Sequence, residues 1–127
     1  MSPATRRSAL PVASDRRPGD RCCDADLPPS ISAANAARTT ADLEILAHPV
    51  RMQLLDVLVR KEGVVCVCDL ESAVPVKQPT VSHHLRLLRE AGIIHSEKRG
   101  LYAYYHVDRR ALSELRERIG GYLATLG

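Results

Sequence analysis

Gln78-Pro79-Thr80-Val81-Ser82-His83-His84-Leu85-Arg86-Leu87-Leu88-Arg89-Glu90-Ala91-Gly92 is the stretch on which the fold turns. Proline is well tolerated in the first turn of a helix, where its missing N–H has no partner to lose. Val81, Leu85 and Leu88 then fall at i, i+4 and i+7, which is one helical face. The opposite face carries Thr80, Ser82, His83 and Arg86: short hydrogen-bonding groups and a cation, with no large apolar side chain. Gly92 stands where a left-handed residue closes a helix. His84 lies between Val81 and Leu85 on the inner side and is expected to be a hydrogen-bonded core histidine. Upstream, Val65-Cys66-Val67-Cys68-Asp69-Leu70-Glu71-Ser72-Ala73 reads as a short helix, and Pro75-Val76-Lys77 as a tight turn. A short helix, a turn and a second helix that is apolar beneath and lightly polar on top fit a DNA-reading helix-turn-helix. Taken alone, the pattern fits a solvated surface helix as well.

Outward from this stretch the chain divides in two. Residues 1–38 are rich in Ser, Pro, Arg, Asp and Ala, show no periodicity, and read as a flexible N-terminal arm interrupted by Cys22-Cys23. Residues 39–127 form the expected DNA-binding and dimerisation domain. A helix is expected from Thr39, with Asp42 completing a capping-box-like pair and Leu43, Leu46 and Ala47 as its apolar side. His48-Pro49 opens another, with Met52, Leu54, Leu55 and Leu58 facing inward and Lys61-Glu62-Gly63 ending it. After Gly92 the pattern turns to β. Ile93–Ser96 and Leu101–Val107 flank Glu97-Lys98-Arg99-Gly100, which predicts a hairpin with a basic tip. Asp108 caps a last helix, whose stripe of Leu112, Leu115, Ile119, Tyr122, Leu123 and Leu126 runs on past what a small core can cover. Core packing and a dimer interface both fit that stripe, and the interface is the expectation. The fold class is therefore mainly α with a small β-hairpin: a winged helix-turn-helix, homodimeric.

Composition sets limits on function. The chain has 127 residues, 45% of them hydrophobic, with no Phe and no Trp, so its core must be aliphatic. Six of 18 basic residues and four of 15 acidic ones lie in residues 1–38, which leaves the rest nearly neutral. DNA binding must then come from local placement rather than total charge. Between Lys77 and Arg99 stand five cations (Lys77, Arg86, Arg89, Lys98, Arg99) against Glu90 and Glu97. The expected DNA-contacting set is Lys77, Gln78, Thr80, Ser82, His83, Arg86, Lys98 and Arg99. No apolar run is long enough to span a membrane, and no signal peptide is recognisable, so a cytoplasmic chain with reduced thiols is expected. Four cysteines in that compartment point to metal binding or redox chemistry rather than structural disulfides. There is no C-x-x-C, no nucleophile beside a placed base and no phosphate-binding glycine loop, so no enzyme is expected.

Leu46-Ala47-His48-Pro49-Val50-Arg51, Cys66-Val67-Cys68-Asp69-Leu70 and Gln78-Pro79-Thr80-Val81-Ser82-His83-His84-Leu85, in this order of elements, resemble the ArsR/SmtB winged-helix repressors over about residues 39–120. The resemblance implies a homodimer that binds an inverted repeat in double-stranded operator DNA, represses a resistance operon, and leaves when a toxic ion binds. One family site uses Asp and His on the last helix. Here Asp108 has no histidine after it and His106 lies just before, so that site is read as absent. A second uses cysteines at the start of the third helix, often joined by cysteines from the arm. Cys66 and Cys68 match the first part, and Cys22 and Cys23 would supply the second, although adjacent arm thiols differ from the family's cadmium/lead arrangement.

Thiolate sulfur selects soft ions. Two sulfurs at i and i+2 of one regular helix point about 200° apart, so either Cys66 precedes the first turn or only one of the pair binds. The alternative is that Cys66 and Cys68 are small buried hydrophobes. Trivalent arsenic takes three thiolates, and Cys22-Cys23 with one helix-three sulfur would supply them. The expected inducer is therefore arsenite or antimonite, with cadmium, lead or zinc, or a thiol redox switch, as the alternatives. His83 is expected to contact bases or phosphates, His95 and His106 to be structural, and Tyr102, Tyr104 and Tyr105 to pack in the strands.

Overall fold

Ser32 opens the first helix, α1 (Ala33–Leu46), by accepting the Asn35 N–H at 3.1 Å in a computed structural model that describes residues 27–127. Residues 33–37 are alanines and an asparagine, so intrinsic propensity rather than apolar spacing carries this first turn. The helix therefore does not start at Thr39, and the capping box with Asp42 does not form. The expected division between residues 38 and 39 falls inside α1. Leu43 and Ala47 are exposed, against expectation, while Ile45 and Leu46 pack on the core.

Two residues separate α1 from α2 (Pro49–Arg60). His48 caps α2, its Nδ1 accepting the Val50 N–H at 3.1 Å. Val50, Leu54, Leu55 and Leu58 form the buried face. Met52, expected among them, is 60% exposed, because it lies two residues from Val50 and Leu54 and so points away from both. Gly63, at φ +82°, turns the chain into a strand that the sequence did not announce: β1 (Val65–Cys66). Two residues are too few to show alternation.

The remaining elements are α3 (Val67–Ala73), α4 (Gln78–Glu90), β2 (Ile94–Arg99), β3 (Tyr102–Val107) and α5 (Arg109–Ala124). The hairpin is thus part of a three-stranded antiparallel sheet in the order β1-β3-β2. Its register runs from Ile94 opposite Val107 to Arg99 opposite Tyr102, which leaves Gly100 and Leu101 as the turn. Gly100 sits at φ +63°, as its place in the sequence required. Lys98 and Arg99 therefore end β2 instead of lying in a loop.

The core is aliphatic, as the absence of Phe and Trp requires. Leu54, Leu58, Leu70, Val81, Leu85, Leu88, Ile94 and Leu115 are fully buried in it. Asp108 caps α5, its Oδ1 accepting the Ala111 N–H at 2.9 Å. Leu112 and Ile119 pack partly on the core, whereas Leu123 is 56% and Leu126 65% exposed. Leu115, expected at the dimer seam, is 0% exposed within its own chain and belongs to the core, since none of its surface is left to cover. A polar pair also ties α5 to α1. The buried Asp42 carboxylate accepts from Arg118 Nε at 2.7 Å and Nη2 at 2.9 Å. Those hydrogen bonds, against the cost of burial, lower the Asp42 pKa and raise that of Arg118. Among the described residues, no helix is long and apolar enough to cross a membrane.

Candidate DNA-reading face and thiol pair

α4 separates its two faces completely. Val81, His84, Leu85 and Leu88 are buried. Gln78, Thr80, Ser82, His83 and Arg86 are exposed on the other side, with Lys77 exposed at the N-cap. None of this second set supports the core, so each is free to meet a ligand. His83 Nδ1 lies 3.1 Å from Arg86 Nη2, and Arg86 reaches Glu90 at 3.9 Å, so the cation is held along the helix surface. Arg89 donates to Ser96 Oγ at 3.3 Å and fixes the helix to β2. On the hairpin, Arg99 Nη2 donates to Glu97 Oε1 at 2.7 Å, and its guanidinium carbon stands 5.4 Å from the centroid of the Tyr104 ring. Lys98 and Arg99 are both exposed.

His84 is the core residue that its place on the inner face required. Its ring stacks on His48 with centroids 4.1 Å apart, and its Nδ1 lies 3.4 Å from Arg51 Nη1. Burial lowers its pKa, and the nearby His48, Arg51 and His83 charges push the same way, so a neutral ring is favoured at physiological pH. Arg51 also donates to the Glu44 and Ile45 carbonyls, both at 2.9 Å, and so satisfies the end of α1. Residue-by-residue reading assigned no role to Arg51. Its place four residues beyond Ala47, just past a predicted helix end, was the available signal.

Cys66 is not in the helix. It is the N-cap of α3, in extended conformation at φ −64° and ψ 141°, and its Sγ accepts the Cys68 N–H at 3.4 Å. The 200° divergence of two thiols in one regular helix therefore does not arise. Cys66 is half-buried and Cys68 exposed, so neither is a sequestered hydrophobe. The hydrogen bond that the protonated Cys68 thiol makes to Cys66, together with some burial, raises the Cys68 pKa. Among the described residues no group of three or more His, Cys, Asp and Glu is arranged to hold a metal ion. The thiol pair is thus a two-sulfur fragment that suits a soft ion once further donors join it. Cys22 and Cys23 lie outside the described residues. The carboxylate considered for a site on the last helix is engaged locally: besides capping α5, Asp108 Oδ2 lies 2.8 Å from His95 Nε2. The Ala111 N–H first, and His95 second, lower its pKa. His106 Nδ1 is buried without a partner among the described residues.

A short helix, a turn, an exposed polar helix face and a cationic hairpin define a winged helix-turn-helix. Comparison with known proteins agrees. The family profile described as "bacterial regulatory protein, arsR family" matches residues 48–96. The chain is 38% identical over 72 residues to the arsenic resistance transcriptional regulator ArsR1 of Pseudomonas putida, covering 50% of this chain and 56% of that protein. It thus spans little more than half of that relative. It is 34% identical over 91 residues to a transcriptional repressor SmtB homolog of Synechocystis, covering 70% and 67%. The crystal structure of the AntR antimony-specific transcriptional repressor matches with a TM-score of 0.57 at 28% identity, covering 93% of this chain and 94% of that one. The chain belongs to the ArsR family of bacterial regulatory proteins, whose matched members are transcriptional regulators and not enzymes.

Proposed function

We propose that a homodimer of this chain represses transcription by holding operator DNA, and lets it go when trivalent arsenic or antimony binds to cysteine thiolates. The observation that carries the reading is the Cys66–Cys68 pair, in which Cys66 caps α3 instead of entering it and turns its sulfur to the Cys68 N–H at 3.4 Å. Cys22 and Cys23 would complete the donor set. A relative named for arsenic and a structural neighbour named for antimony support this class of inducer. The two α4 helices enter successive major grooves of an inverted repeat, roughly 34 Å apart. Gln78, Thr80, Ser82 and His83 meet base edges there, while Lys77, Arg86, Lys98 and Arg99 meet phosphates. The complex operates in the cytoplasm, where the thiols stay reduced.

The test uses a labelled duplex selected from random sequence by the full-length protein. Arsenite is titrated while thiolate charge-transfer absorption and duplex anisotropy are followed together. Replacing Cys22 and Cys23 with Ser, or Cys66 and Cys68 with Ser, should leave duplex binding intact and abolish release. Release of both double variants at the wild-type arsenite concentration would defeat the reading. Release by cadmium, lead or zinc alone would keep the site and change the inducer. Release by an oxidant, with a disulfide found by mass, would make the thiols a redox switch. Lys98→Ala with Arg99→Ala should weaken binding to all duplexes and flatten its salt dependence, since phosphate contacts carry that slope.

A further inference from the structure

The sheet sets one residue from each strand in a single row. Cys66 of β1 stands opposite Tyr104 of β3, and Tyr104 stands opposite Glu97 of β2. Directly opposed residues project to the same face, with Cβ atoms about 4.5–5.5 Å apart. The neighbouring row, Val65 and Tyr105, packs on the core, so the row of Cys66, Tyr104 and Glu97 lies on the outer face. Arg99 is two residues beyond Glu97 and returns to that face. It is paired to Glu97 at 2.7 Å and sits over the Tyr104 ring at 5.4 Å. Tyr104 thus stands in the row between Cys66 on one strand and, across the other, the Glu97–Arg99 pair whose guanidinium lies over its ring.

We propose that Tyr104 is a positioning residue that relays occupancy of the thiol site to Arg99 on the wing. This rests on the reading of Cys66 as an ion ligand. An ion on Cys66, with the donors it gathers, must take space beside the Tyr104 ring. The ring cannot yield inward, because β3 presents Tyr105 to the core. It yields outward, along the face where Arg99 rests on it. Arg99 then loses the ring that fixes its guanidinium, and the wing loses a placed cation at the moment the site fills. The ion and the DNA would each favour a different setting of one side chain, which is what coupling between two sites requires.

The experiment uses the full-length chain, arsenite and the selected duplex, with Tyr104→Leu and Tyr104→Phe. Tyr104→Leu should take up arsenite at the wild-type midpoint by thiolate absorption, yet the loss of duplex affinity caused by arsenite should shrink about tenfold, within the usual span of coupling between sites. Tyr104→Phe keeps the ring and should restore release. A second readout needs no DNA. The chain has four tyrosines and no tryptophan, so its emission is tyrosine emission. Arsenite should change that emission in the wild type and leave Tyr104→Phe unchanged. Wild-type release by Tyr104→Leu would overturn the relay, and so would an unaltered emission change in Tyr104→Phe, which stands even if the leucine variant fails to fold. Wild-type protein that binds arsenite but keeps its duplex would instead overturn the proposed function itself, and the relay with it.

Discussion

α4 and α5 both carry an apolar stripe, but only one of the stripes closes within the chain. On α4, Val81, Leu85 and Leu88 are all buried, and the polar side is free. On α5 the stripe starts in the core at Leu115, is half-covered at Leu112 and Ile119, and ends at Leu123 and Leu126 in solvent. A helix whose inner side is fully satisfied can spend its outer side on a ligand that comes and goes. A helix whose apolar side runs beyond its own core calls for a permanent cover, and a second copy of the chain supplies an identical stripe. On the proposed reading, the two helices divide recognition from assembly.

The largest expected effect lies where the stripes are alike. Leu85→Ala and Leu115→Ala each remove a fully buried side chain, and each should cost about 2–5 kcal/mol in denaturant unfolding. A small loss for Leu115→Ala would mean that α5 is not part of the core at that level. Leu123→Asp should do something different. Its side chain is mostly exposed in the single chain, so the protomer should stay folded while sedimentation shows dissociation. Should that variant stay dimeric, the open end of the stripe is not the seam.

A weaker effect concerns how α5 is seated. Arg118 holds the Asp42 carboxyl below its ordinary value of 3.8, so on acidification the unfolded chain takes up that proton before the folded one. The stabilisation is therefore complete above 3.8, declines as the pH falls below it, and is gone once the folded carboxyl is protonated as well. Asp42→Asn should be less stable than wild type near neutrality and equal to it in acid. A gap between the two that persists at the lowest pH would show that packing, not charge, is what the substitution removes.

α4 was legible because its evidence is local: one face, one period, a proline in front and a glycine behind. The bounds Gln78–Glu90 and the burial of His84 followed from that alone. The sheet was half legible. β2 and β3 are β-prone runs that share a turn, but β1 exists only because β3 lies beside it. The same applies to the thiols. Whether Cys66 could work with Cys68 depended on one backbone dihedral pair at the strand–helix junction, which no spacing rule supplies. α1 began early because alanine propensity, not apolar period, starts it. Asp42 with Arg118, and Arg51 with the end of α1, are pairings across the fold that the sequence leaves unmarked.

The smallest effect bears on the seam itself. Gly120 and Gly121 sit inside α5, where glycine costs a helix roughly 0.8–1.0 kcal/mol relative to alanine. A Cβ at either position meets nothing within 4 Å in the single chain, so alanine at each should stabilise an isolated protomer by about that amount. The two glycines face different ways, however. Gly120 is three residues from the exposed Leu123 and shares its side of the helix, whereas Gly121 neighbours Glu117 and Arg118. If a partner helix covers Leu123, Gly121→Ala should raise stability at every protein concentration. Gly120→Ala should do so only when the protein is dilute, and should weaken association when it is concentrated. Denaturation at two concentrations, with sedimentation alongside, separates the cases. Identical behaviour of the two variants would move the seam away from this side of α5.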